Sequence, residues 1–363
     1  MIKLGIPHIN QQGIIVMQPI DYHISLFPDG TKKYHITPTQ LLMSDNITIS
    51  YYYSSPEDFI DLFAIIETVR SIHPKAEISL FIMYMPYARL DRVEQYGETF
   101  TLQTFIRILK TLPYNNLYIF DPHSNITDIL LDDKRSFIDK EVMEKVLGWI
   151  ISTHLERIFP KQESFYIAFP DNGSQKRYTD FLKRMGYDQR IKGVFVGNKY
   201  RDWKSGEIKE LSIKMIAGEW IRDKSGEQNI VIFDDILTTG KTIECFIEKF
   251  NQKEETEKYG KPKFYLYSSH MEPSVYKSKL LDPENKMIEK ILTTTSLDFH
   301  KDIESLSEED KKKGENTILK LDVLDIFMAI QSDIMKRAQM QQEQQMRAMA
   351  QQRQNKILTP KDL

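Results

Sequence analysis

Two adjacent carboxylates, Asp234 and Asp235, close the short apolar run Ile230–Phe233, and Thr238, Thr239, Gly240, Lys241 and Thr242 follow at once. A turn rich in hydroxyls and backbone N–H groups, lying between a strand end and a helix start, is an anion site. The free N–H groups of the first helical turn and the helix dipole point at the same spot. The two acids beside it suit the hydroxyls of a sugar whose phosphate rests in the turn. Gly240-Lys241-Thr242 looks like the end of a P-loop, but that pattern needs a glycine five positions before Gly240, where this chain has Asp235.

Other segments place reactive types just past apolar runs. Arg89 and Arg92 flank Asp91, and guanidinium forks can hold polyphosphate oxygens. His123 follows Asp121, where a neutral imidazole could take a metal, although a lone histidine is more often structural. Asp171 lies in the turn Pro170-Asp171-Asn172-Gly173. Lys199 and Arg201 open a polar stretch, running to Lys209, that has no clear period and reads as a mobile loop. Alone, the Arg89–Arg92 segment reads as a surface Arg–Asp–Arg cluster and the Lys199–Arg201 stretch as an exposed basic loop.

Taken together and in order, they resemble the ribose-phosphate pyrophosphokinases, the phosphoribosyl-diphosphate synthetases. PYARLDR (Pro86–Arg92) and FDPHS (Phe120–Ser124) resemble two signature segments of that family, and FPDGT (Phe27–Thr31) resembles its FSDGE segment. Pro170–Gly173 resembles its SPDxGG turn, His270 lies in a stretch like its THG segment, and Asp234–Thr242 resembles the sugar-phosphate loop shared with type I phosphoribosyltransferases. The resemblance covers about Leu26 to Ile330.

It implies transfer of the β,γ-diphosphoryl group of ATP to the anomeric hydroxyl of ribose 5-phosphate, releasing AMP. Lys199 and Arg201 would be catalytic, closing over the transferring phosphates. Arg89, Asp91 and Arg92 would hold ATP, together with Phe27 and Asp29 from a neighbouring subunit. His123 and Asp171 would hold Mg2+, partly through water. Asp234 and Asp235 would orient the ribose hydroxyls and Thr238–Thr242 would cradle the 5-phosphate. The partners implied are ATP, a ribose-phosphate acceptor and copies of the same chain, as a dimer or hexamer.

Several residues depart from the family pattern. Thr31 and Leu90 replace a glutamate and a glutamine at the nucleotide end, and Thr238 and Lys241 replace an acid and a small residue in the phosphate turn. The turn is about two charges more positive than the family's. That leaves open a larger, more phosphorylated acceptor such as ADP-ribose, as in a step of NAD rebuilding. A catalytically silent, nucleotide-binding partner subunit is a further alternative.

The elements that must position these residues alternate strand and helix. The pattern predicts an α/β protein of two doubly wound domains of phosphoribosyltransferase type, each with a mostly parallel sheet flanked by helices and a site at strand C-termini. The expected boundaries are 1–155 with 317–335 packing back on it, 156–316 carrying the sugar-phosphate loop, and a Gln/Met-rich tail over 336–363. Ser55 is expected to cap a helix with Phe59, Leu62, Phe63, Ile66 and Val69 on its apolar face. Asp302–Glu315 reads as a solvated connection and Ile318–Ile330 as an amphipathic helix. Gln331–Asn355 could continue that helix, fray or be disordered.

Net charge is −3 over 363 residues, so no basic excess suggests a nucleic-acid partner. One cysteine, Cys245, excludes an internal disulfide framework. No apolar run has membrane-spanning length, and the first residues lack a signal peptide's apolar region; the expected setting is cytoplasmic.

Overall fold

A computed structural model describes residues 1–131, 137–138, 140–159, 163–201, 208–220, 228–252, 255, 261–284, 286–297, 300–334, 336 and 340. The tail expected over 336–363 lies almost entirely outside them.

The described residues form two main sheets and a separate hairpin. The first sheet has the order β2-β1-β5-β6-β7-β8. Its strands are β1 (Ile2–Ile9), β2 (Ile15–Pro19), β5 (Asn46–Tyr51), β6 (Glu77–Ile82), β7 (Asn116–Ile119) and β8 (Phe137–Ile138). β1 pairs antiparallel with both β2 and β5, and the rest are parallel. The hairpin is β3 (Tyr22–Leu26) with β4 (Lys32–Ile36), turning through Gly30 at φ 85°.

The second sheet runs β11-β10-β9-β12-β13-β14-β15. Its members are β9 (Phe165–Phe169), β10 (Ile191–Arg201), β11 (Ile208–Gly218), β12 (Asn229–Leu237), β13 (Lys263–Met271), β14 (Lys290–Thr294) and β15 (Ile318–Leu321). Only β10–β11 is antiparallel among its pairs. Its central strands are buried on both faces, as crossover helices require: all five residues of β9 are buried, and β12 is buried at seven of its nine positions.

Three apolar clusters result. One packs the first sheet against α2 (Asp58–Ile72) and α3 (Thr101–Leu109). Another packs the far face of the second sheet against α7 (Lys241–Phe250), through Ile243, Phe246, Ile247 and Phe250. The third lies between the sheets. It joins Phe81 and Phe120 of the first half, α5 (Lys140–Ile158), α6 (Asn172–Arg184), Phe165 and Phe233 of the second sheet, and a helix over 323–334. Phe327 of that helix meets the rings of Phe81 at 4.7 Å and Tyr118 at 5.3 Å. Each such side chain, fully buried, contributes roughly 1.5–3 kcal/mol of transfer free energy, so the middle layer binds the two halves firmly.

Four expectations need correction. Ser55 does not cap α2. The helix begins at Asp58, whose Oδ2 instead accepts Ser54 Oγ (2.5 Å), the backbone N–H groups of Ser54 and Ser55, and the N-terminal amine. Within the charge run 302–315, Glu308–Thr317 is helical, because Ser307 caps it at Asp310 N and three acids follow in its first turn. Ile318–Leu321 is a strand rather than the start of a helix; it adds to the edge of the second sheet, and the helix begins after Asp322. Both described ends of the stretch expected as a loop over Lys199–Lys209 are strand: Lys199–Arg201 continues β10 and Ile208–Lys209 opens β11, with Lys199 opposite Leu211 and Arg201 opposite Ile208.

Candidate active site

β12 pairs with β9 only as far as Ile232 opposite Ala168, whereas its pairing with β13 continues to Leu237 opposite Met271. β9 has turned away into α6, so the last residues of β12 edge an open crevice. Asp234 and Asp235 therefore lie within the strand, four and three residues before Thr238, rather than at its end. Thr238 and Thr239 lead to Gly240, whose φ of 75° is left-handed. That conformation favours glycine, and a Cβ there would also press on Leu280 Cδ1 at 2.7 Å. Lys241 then opens α7, which aims its N-terminus at the crevice.

The crevice is a cleft of about 910 Å³ lined by Arg89, Arg92, His123, Asp171, Asp234, Asp235 and Thr238–Thr242, with Ser124, Ser174 and Arg177 among others. Sequence positions 89 to 242 are thus drawn to one place by the ends of β6, β7, β9 and β12. Two non-glycine residues have left-handed φ among the described residues, Tyr87 at 61° and Asp121 at 42°. Each stands where a strand of the first sheet hands over to this cleft. Strained backbone at such positions fixes the direction of the following side chains.

His123 Nδ1 lies 2.5 Å from Asp235 Oδ2. Burial works against the His123 cation, but the hydrogen bond and charge of Asp235 prevail and raise its pKa. Asp235 moves the opposite way: burial opposes its ionisation, and His123 and Arg177 hold it low nonetheless. Asp171 caps α6, its Oδ1 accepting Ser174 N (2.9 Å) and Ser174 Oγ (3.0 Å). Ser174 Oγ also reaches Asp234 Oδ1 at 3.1 Å. Asp91 is buried and forked by Arg92 Nε (2.8 Å) and Nη2 (3.1 Å). Burial would raise its pKa, but Arg92 and Ser124 keep it low. Lys241 Nζ lies 3.6 Å from Glu244, whose buried carboxylate accepts Lys279 N (2.9 Å).

The remaining expected residues stand elsewhere. Phe27 is exposed and Asp29 Oδ1 accepts Thr31 N at the tip of the β3–β4 hairpin; neither lines this cleft. Lys199 and Arg201 are on β10, and 202–207 lie outside the described residues.

Arg177 escaped the sequence reading. It sits on α6 beside Tyr178 and donates to Asp121 and to the carbonyls of Pro122 and His123. A signal was present, since Ser174, Arg177, Tyr178 and Phe181 share one helical stripe, and a cation on an apolar stripe needs a partner.

No protein-family model matches the chain. The ribose-phosphate pyrophosphokinase of Sulfurisphaera tokodaii is 24% identical over 240 residues, which is 64% of this chain and 72% of that protein. That of Thermococcus kodakarensis is 23% identical over 280 residues, 77% and 86% of the two chains. That of Saccharolobus solfataricus is 26% identical over 219 residues, 60% of this chain and 67% of that protein. The crystal structure of phosphoribosylpyrophosphate synthetase from Mycobacterium smegmatis superposes with a TM-score of 0.56 at 14% identity, covering 88% of this chain and 91% of that one. The fold is therefore of that type, with phosphoribosyltransferase-type domains, and the resemblance carried by the sequence segments holds. Among the described residues no helix is long and apolar enough to cross a membrane.

Proposed function

We propose that the chain is an ATP-dependent pyrophosphokinase that converts ribose 5-phosphate to phosphoribosyl diphosphate and AMP. The observation that carries this is the convergence of arginines, acids and a phosphate-type turn in one cleft. In this reading Thr238–Thr242 and the N-terminus of α7 hold the 5-phosphate, and Asp234 and Asp235 accept hydrogen bonds from ribose hydroxyls. Arg89 and Arg92 hold ATP phosphates. The anomeric hydroxyl loses its proton to solvent as its oxygen forms a bond to the β-phosphorus, the bond from that phosphorus to the α,β-bridging oxygen breaks, and AMP carries away the electron pair. Lys199 and Arg201 are assigned to charge compensation as this happens, from the β10–β11 arm.

Among the described residues no three His, Cys, Asp or Glu side chains are arranged to hold a metal by themselves. Asp171, as a carboxylate, and His123, through water, would help hold a magnesium ion brought in with the ATP phosphates. Such an ion neutralises phosphate charge when bound. His123 is otherwise committed to Asp235, which the sequence did not reveal.

The larger acceptor rests on Lys241. Its ammonium already faces Glu244, which favours ribose 5-phosphate. Phe27 and Asp29 complete a neighbour's nucleotide site in this reading, which makes the protein a homo-oligomer, dimer or hexamer, and places it in the cytoplasm with its substrates.

The test is an acceptor screen. Protein, ATP and Mg2+ are incubated with ribose 5-phosphate or ADP-ribose, and AMP is measured. AMP with ribose 5-phosphate is the expected outcome. AMP with ADP-ribose alone moves the assignment to the larger acceptor, and no AMP with either leaves a silent subunit.

A further inference from the structure

The loop 121–124 belongs in sequence to the first sheet, yet its polar groups are held from the second half of the chain. Asp121 is buried. Its carboxylate accepts Arg177 Nε (3.0 Å) and Nη2, Tyr178 Oη (3.1 Å) and Ser269 Oγ. The Asp121 carbonyl accepts His270 Nε2–H (3.0 Å). The Pro122 carbonyl accepts Arg177 Nη2 and the His123 carbonyl accepts Arg177 Nη1 (2.9 Å). Three consecutive carbonyls thus take side-chain donors from α6 and β13, across 54 to 149 residues of sequence.

We propose that Arg177 and Asp121 form the positioning pair of the cleft, a buried clamp that sets the left-handed turn at Asp121 and so places His123 opposite Asp235. Arg177 is not a phosphate ligand in this assignment. Four hydrogen bonds occupy its fork, all directed at the loop. The planar guanidinium is the side chain that can span a carboxylate and two carbonyls at once; an ammonium on a lysine stem is a point charge and cannot. The clamp also explains why Asp121 adopts φ 42° without glycine: the backbone strain is offset by the charge-assisted bonds the turn makes possible.

The kinetic consequence rests on the pyrophosphokinase reading; the clamp itself does not. The test uses the full-length protein and two variants, Arg177→Lys and Tyr178→Phe. The first keeps the charge and loses the fork; the second removes one donor to Asp121 and keeps the arginine. Amide hydrogen exchange without substrates reads the clamp directly. Exchange in the segment 120–127 is expected to quicken in both variants, more in Arg177→Lys, while exchange in β9 and β12 stays unchanged. In AMP-release assays kcat is expected to fall about tenfold or more for Arg177→Lys, and less for Tyr178→Phe, with the KM values for ATP and acceptor within about twofold of wild type. A raised KM at unchanged kcat would make Arg177 a substrate ligand and overturn the proposal. So would unchanged exchange across 120–127. If Arg177→Lys does not fold, Tyr178→Phe alone decides by the same two measurements. Failure of wild-type protein to release AMP would remove the pyrophosphokinase reading and leave the exchange result to judge the clamp.

Discussion

At the scale of single residues, the His123–Asp235 pair is the sharpest electrostatic feature of the cleft. The two groups shift in opposite directions, as a buried ion pair must: each charged form is costly alone and is stabilised by the other. Replacing Asp235 by Asn removes the negative charge and keeps an oxygen that His123 can reach. Burial then governs the imidazole, and its pKa is expected to drop below the ordinary value instead of lying above it. A histidine NMR titration of the variant reads this directly, and an unmoved His123 titration would show that the pair does not exist in solution. Because Asp235 is also assigned to the ribose hydroxyls, kcat/KM for ribose 5-phosphate is expected to fall about 10- to 150-fold, the worth of a charge-assisted hydrogen bond of about 1.5–3 kcal/mol.

At the scale of elements, α5 gives a pH-dependent contribution to stability. His154 is buried on this helix, and its Nε2–H donates to the carbonyl of Thr293 at 2.9 Å on β14. Its Nδ1 has no hydrogen-bond partner, so a proton there would be a buried, unsatisfied donor. Burial accordingly lowers its pKa to about 4. The fold keeps the neutral form while the unfolded chain titrates near 6.5, so the unfolded state binds the extra proton. Stability contributed by His154 is complete above about pH 6.5, falls as pH drops, and is lost by about pH 4, a change of about 3 kcal/mol. Urea unfolding at a series of pH values should show this slope in wild type, and His154→Gln, which keeps an N–H donor without titrating, should flatten it. An unchanged slope in the variant would place the pH sensitivity elsewhere.

The elements also show what can be read from sequence and what cannot. The alternation of strand and helix is legible because β9 and β12 are apolar over most of their length and α7 sets Ile243, Phe246, Ile247 and Phe250 at helical spacing, whereas the cap that Asp171 gives α6 shows only in its contact with Ser174 N. The helix 308–317 was hidden because it is almost all polar, and a solvated helix with few apolar contacts leaves no period to read. Ile318–Leu321 reads as the start of a helix because a short apolar run next to a helix has the same local signal either way; the free edge of β14 decides it. In the site, Thr238–Thr242 are legible as a hydroxyl-rich turn ahead of a helix, whereas the Arg177–Asp121 contacts depend on the way residues far apart in sequence are brought together.

At the scale of the whole molecule, the hairpin β3–β4 bears on how the cleft is completed. It forms a sheet of its own, and Leu26 and Phe27 at its tip are 68% and 54% exposed, more than a tip serving its own chain's core requires. If Phe27 and Asp29 serve a neighbour's nucleotide site, each site takes its hairpin from one chain and its Lys199 from another. Variants in the two parts should then complement. A Phe27→Ala/Asp29→Ala chain and a Lys199→Ala chain are each expected to be nearly inactive alone. Co-expressed, a mixed pair holds one site with both defects and one site with neither. Random pairing makes about half of all pairs mixed, so recovery of about a quarter of wild-type activity is expected for isologous dimers. Sedimentation under assay conditions should find no active monomer. A hairpin acting within its own chain would give every mixed site one defect and no recovery at all, and the cross-subunit assignment of Phe27 and Asp29 would be lost.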